Sequence, residues 1–142
     1  MSATLPESDD VRGILRGRRA HFESPTLSDV QRINDERKNR WHDGGAREWS
    51  VLEWAGAMCG EAGEAANVAK KLLRIELGLR GNEAAEHVET DRDVLKQKLA
   101  GEIGGIVLYC ALLASNADID FERAVIETFN AKSEAMGFPE RL

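Results

Sequence analysis

Glu61 and Glu64 stand three residues apart in the segment between Trp54 and Leu73. On a helix, residues at i and i+3 project side by side, so the pair presents two carboxylates to one region of space. At 100° per residue, Glu61 falls inside the apolar stripe of Trp54, Met58, Ala65, Val68 and Leu72, and Glu64 falls on its edge. A carboxylate on a core-facing position is costly to desolvate unless positive charge neutralises it. The small residues Gly60, Ala62, Gly63 and Ala65 around the pair suit close approach of backbone or ligand. A third acid, Glu102, follows one helix later, in line with Lys98, Gly105 and Tyr109. If the two helices pack antiparallel, Glu102 faces the first two acids, and the three carboxylates make a site of oxygen ligands. Hard cations such as Mg²⁺ or Mn²⁺ prefer that donor set. A metal so held clamps phosphate oxygens and activates a water for in-line attack. The competing reading is an ordinary solvated helix face, where such pairs are common by chance.

Other chemistries fit less well. Di-iron bundles need a Glu-x-x-His pair on two helices. None of His21, His42 and His87 follows a glutamate by three residues. No Gly-rich loop ends in Lys-Ser/Thr, which argues against a P-loop enzyme. Cys59 and Cys110 lie in apolar helical stretches and read as buried, inert free thiols. The net charge of -6 argues against nucleic acid or a membrane surface as partner. An acidic protein that handles phosphates needs metal ions to bridge the like charges. No signal-peptide core and no apolar run of about 18 residues is apparent, so a cytoplasmic location is expected.

The elements that must position these acids are helical. The chain of 142 residues is the size of one domain, and 42% hydrophobic with 31% charged residues suits a soluble globular fold. Its 3 prolines, Pro6, Pro25 and Pro139, lie near the ends and leave the middle free for helices. Residues 1–25, with Arg12, Arg16, Arg18 and Arg19, read as a flexible N-terminal extension. Residues 26–142 read as the helical domain. A first helix is expected from Thr26 or Ser28 to Arg40. Trp41-His42-Asp43-Gly44-Gly45 then breaks it. Ser50-Val51-Leu52-Glu53 is a capping box that opens a second helix, expected to reach Leu77. Residues 78–92 form a polar connection. A third helix is expected from Asp91 or Asp93 to Ala114, with Leu95, Leu99, Ile103, Ile106, Cys110 and Leu113 as its stripe. The last begins at Asp118 or Asp120, and Gly137 with Pro139 ends it. The expected class is all-α, a bundle of four to five helices.

The segment from Trp54 to Leu73, then Glu102-Ile-Gly-Gly-Ile-Val-Leu-Tyr-Cys, then Ile119 to Leu142, resembles the MazG-like all-α nucleoside triphosphate pyrophosphohydrolases. The resemblance covers roughly residues 28–142. It implies a bundle completed by dimerisation or tetramerisation. It implies cleavage of a nucleoside triphosphate to a monophosphate and pyrophosphate, with Mg²⁺ (or Mn²⁺) as cofactor. Glu61, Glu64 and Glu102 would be the metal ligands and catalytic acids. Trp41, His42, Asn130 and Lys132 resemble residues near the nucleotide, and Lys98 joins them as a substrate-binding candidate. For Trp41, Trp49 and Trp54, core or interface packing competes with base stacking.

The chain departs from the family pattern twice. Its second acidic pair should be Glu-x-x-Asp, yet Gly105 stands at the aspartate position. The separation of Glu64 from Glu102 is also long, so that residues 78–92 read as an insertion. A water could complete the metal shell at the vacant position, and Gly105→Asp is then expected to raise metal affinity or activity. The alternative is a catalytically silent nucleotide-binding or interaction protein on the same fold.

Overall fold

A computed structural model describes residues 24–41, 49–79 and 91–142. The described residues form four α-helices and no strand: α1 (Leu27–Lys38), α2 (Val51–Glu76), α3 (Arg92–Asn116) and α4 (Phe121–Met136). The fold is all-α.

Local chemistry sets each boundary. Thr26 and Asp29 form a reciprocal capping box at the start of α1, as Ser50 and Glu53 do for α2. The Asp91 carboxylate accepts from the Asp93 and Val94 amides at 2.8 and 3.2 Å and caps α3. Asp120 accepts from the Arg123 amide at 2.9 Å and caps α4. Gly137 ends α4 in the left-handed region, with φ 70°.

Helices α2 and α3 form the main pair, and four contacts fix their sense. Arg92 bridges Glu76 at 2.9 Å, Glu61 lies on Gly105, Trp54 meets Tyr109, and Asn116 donates to the Trp49 carbonyl at 3.1 Å. As one residue number falls the other rises, so the helices run antiparallel. Helix α1 lies across α3 and also touches α4. Gln31 ties it to the α3–α4 turn, donating to the Ile119 carbonyl at 2.8 Å and accepting from the Phe121 amide at 3.0 Å.

The core is Trp54 and Val68 of α2 with Leu95, Ala111, Leu112 and Ala114 of α3. Two expectations change here. Ile103, placed in the α3 stripe by spacing, is 53% exposed: Gly105, Tyr109 and Asn116 carry contacts with α2, and Ile103 lies well over a quarter-turn round the helix from them. Cys59 is a free thiol on the exposed side of α2 rather than a buried one. Cys110 is half-buried, and burial pushes its thiol up from the ordinary cysteine value. Helix α3 is also long and apolar enough to cross a membrane, with a mean hydropathy of 1.4 over its best 18-residue window. Only 17% of that window is buried within the chain.

Candidate functional site

The antiparallel register of α2 and α3 brings Glu61, Glu64 and Glu102 together. Glu61 and Glu102 are half-buried and Glu64 is exposed. Their proximity shows in the acidity of Glu102, whose carboxyl is held above the usual glutamate value of 4.5. Desolvation is the largest cause, followed by the negative charges of Glu64 and then Glu61, with hydrogen bonding to both. No Lys or Arg among the described residues pairs with any of the three. The cluster therefore carries uncompensated negative charge. Its donors are all carboxylate oxygens, the type that suits Mg²⁺ or Mn²⁺. As the side chains stand, however, no three Asp, Glu, His or Cys residues among the described ones are gathered into a metal-holding group.

Gly105 explains part of that arrangement. A Cβ at position 105 would fall 2.8 Å from the Glu61 Cδ and 3.3 Å from its Cγ. Real Cβ atoms do not approach other heavy atoms so closely as the first of these distances. The Glu61 carboxylate thus lies against the α3 backbone, in space that any side chain at 105 would take.

A cavity of about 220 Å³ opens beside this contact, with Glu61 and Gly105 on one wall. Trp41 and Tyr109 provide aromatic faces, Asn34 and Arg37 the polar ones, and Leu108 and Leu112 the apolar lining. Trp41 is held in an aromatic cluster around buried Trp54, with ring centroids 6.2 Å apart; Trp49 and Tyr109 stand 4.6 and 6.2 Å from Trp54. Trp54 is a core residue, and Trp41 lines the cavity.

Asn34 is 3% exposed, and its side chain is fully engaged. Its Nδ2 donates to the Leu108 carbonyl at 2.8 Å, and its Oδ1 accepts from Arg37 Nη2 at 2.6 Å. The Arg37 guanidinium carbon lies 5.9 Å from the centre of the Trp41 ring, within cation–π range. A second, more apolar hollow of about 190 Å³ lies along the other side of Asn34 and Arg37, toward Pro25, Val30 and Ile33.

Lys98, Asn130 and Lys132 do not line this cavity. Lys98 is exposed on α3, one turn before Glu102. Asn130 holds the C-terminal residue, accepting from the Leu142 amide at 3.0 Å and donating to its carbonyl at 3.4 Å. Lys132 borders an apolar depression on α4 with Phe121 and Phe129. His42 lies outside the described residues. Sequence reasoning missed Asn34 and Arg37 as site residues. The available signal was a polar residue at helical spacing from Leu27 and Val30, on the face that packs inward.

Comparison with protein-family models found no match, and neither the curated proteins nor the solved structures include one similar to this chain at a significant level.

Proposed function

We propose that this chain is a divalent-metal-dependent nucleotide pyrophosphohydrolase. One observation carries the reading: Glu61, Glu64 and Glu102, from two antiparallel helices, lie within interacting distance of one another with no paired Lys or Arg among the described residues, beside a cavity with aromatic and polar walls. The sequence resemblance to MazG-like enzymes points the same way. Glu61, Glu64 and Glu102 would hold Mg²⁺ or Mn²⁺. When bound, the metal supplies neutralisation of the phosphate charge and activation of the attacking water.

The chain's own residues do the rest. Trp41 and Tyr109 offer flat apolar faces for a base, while Asn34 and Arg37 offer polar contacts at its edge. Glu61 belongs to both the cavity and the carboxylate cluster, so a base in the cavity brings its phosphates to the acids. A cavity of about 220 Å³ is smaller than the roughly 300–1,000 Å³ of typical small-molecule pockets. It suits one ring system, with sugar and phosphates outside.

Self-association is part of this reading. Ile33, Leu73, Ile103 and Phe129 are 40% or more exposed, and α3 is apolar while mostly unburied. A second copy packed on those faces would remove the apolar surface from water. The cytoplasmic location belongs to the same proposal.

The test is pyrophosphate release from a panel of ribo- and deoxyribonucleoside triphosphates with Mg²⁺ or Mn²⁺. Turnover of at least one, abolished by Glu61→Gln, is the expected result. No release from any nucleotide with either metal removes the enzyme reading. The second reading, a silent nucleotide binder, is favoured by one specific observation: Glu61 lies on Gly105 and the acids are not gathered around a common centre. Calorimetry showing nucleotide binding without pyrophosphate release would select it.

A further inference from the structure

We infer that Arg37 selects the base, favouring a ring edge that carries two adjacent hydrogen-bond acceptors. This rests on the cavity being the base site of the function proposed above.

Hydrogen-bonding rules fix the orientation of Asn34. The Leu108 carbonyl can only accept and a guanidinium can only donate. The Asn34 amide therefore turns Nδ2 to Leu108 and Oδ1 to Arg37, and no flipped arrangement satisfies both. Burial at 3% exposure leaves the amide no water with which to compensate. Asn34 thus acts as a rigid bracket that holds one Nη of Arg37, while the Trp41 ring lies beside the guanidinium.

The rest of the guanidinium is uncommitted. Among the described residues, Arg37 makes one hydrogen bond, to Asn34, and no ion pair. Its other N–H groups form part of a fixed planar fork that carries donors and no acceptor. Such a fork matches two neighbouring acceptors on a planar ring, as it does at the O6 and N7 atoms of guanine. Cytosine offers an adjacent pair at O2 and N3. Adenine N1 and N7 each stand beside the N6 amino donor, and both uracil oxygens stand beside N3–H, so at these edges the fork meets one acceptor and one opposed N–H. Neighbouring Trp41 and Tyr109 can cover the ring faces, which differ little between bases, so the edge carries the discrimination.

The experiment is calorimetric titration of the full chain, without metal, with guanosine, cytidine, adenosine, uridine and ribose 5-phosphate, alongside tryptophan fluorescence to report on Trp41. Guanosine or cytidine binding about tenfold or more tighter than adenosine and uridine is expected. Arg37→Lys, which keeps the charge and loses the fork, should level the series while circular dichroism stays unchanged. Four equal nucleoside affinities, or no nucleoside binding, overturn the inference. Ribose 5-phosphate binding as tightly as any nucleoside also overturns it, by assigning Arg37 to phosphate. Pyrophosphate release is measured separately on the four triphosphates. Equal release from all four leaves the hydrolase standing and sinks the edge selection. Edge-selective nucleoside binding with no release from any triphosphate does the reverse.

Discussion

The Glu61 carboxylate occupies the space that a side chain at position 105 would need. The absence of a fourth acid and the position of the first are therefore one structural fact. Sequence reading treats Gly105 as a missing ligand that Gly105→Asp would restore. In the folded chain, an aspartate there must first displace Glu61, so the fourth carboxylate arrives at the expense of the first.

Gly105→Ala separates space from charge. A mid-helix glycine costs about 0.5–1 kcal/mol relative to alanine. The overlapping atoms belong to the far end of a flexible side chain, so Glu61 can swing aside. The expected outcome is a helix at least as stable in urea unfolding, with Mg²⁺-dependent pyrophosphate release reduced about tenfold. Unchanged release would show that the Glu61 position against α3 is irrelevant to catalysis.

Glu102 sets the sign of a pH effect. Its folded-state carboxyl lies above the ordinary value of 4.5, mainly through desolvation and then through Glu64 and Glu61. Folding therefore favours the protonated form, and the sign is opposite to that of an ion-paired acid. Below 4.5 the group is protonated in both states and costs nothing. As pH rises through the folded value, ionisation beside two other carboxylates reduces stability. Without metal, Glu102→Gln should raise the Tm near neutral pH and leave it nearly unchanged below 4.5. Added Mg²⁺ should raise the Tm of the parent near neutrality and have little effect in acid. A metal response of equal size at both pH values would place the ion elsewhere.

Asn34 is a structural bracket with a measurable role. Asn34→Ala removes a hydrogen bond that ties α1 to the Leu108 carbonyl of α3, while that carbonyl keeps its helical partner, so the loss is about 0.5–1.5 kcal/mol. Urea unfolding should show that loss with an unchanged m-value. Arg37 loses its hydrogen-bonding partner at the same time, so nucleoside discrimination should weaken even where the fold is intact.

Association can be tested on α3. Ile103 is 53% exposed and lies next to Glu102 in the chain. Ile103→Glu should preserve helical circular dichroism and lower the mass seen by sedimentation equilibrium relative to the parent. A parent that sediments as a monomer at all concentrations would remove the self-association proposal.

The sequence by itself determined the elements. Thr26 with Asp29, Ser50 with Glu53, Asp91, Asp120 and Gly137 mark where helices start and stop, because capping acts within a turn of the chain. The Glu61–Glu64 pair was legible for the same reason, since i and i+3 are neighbours on any helix. The meeting of these acids with Glu102 needed only one further assumption, an antiparallel α2–α3 pair. Tertiary structure alone decided the rest. Glu61 lies on Gly105 because of how α2 and α3 are rotated about their axes, and helical spacing leaves that rotation open by a residue or more. The same rotation exposes Ile103, which spacing had turned inward, and Cys59, which its apolar neighbours had marked as buried. Asn34 reaches the Leu108 carbonyl, and so holds Arg37 beside Trp41, only because α1 crosses α3 at that height. Such contacts join residues about 70 positions apart, and no local preference encodes them.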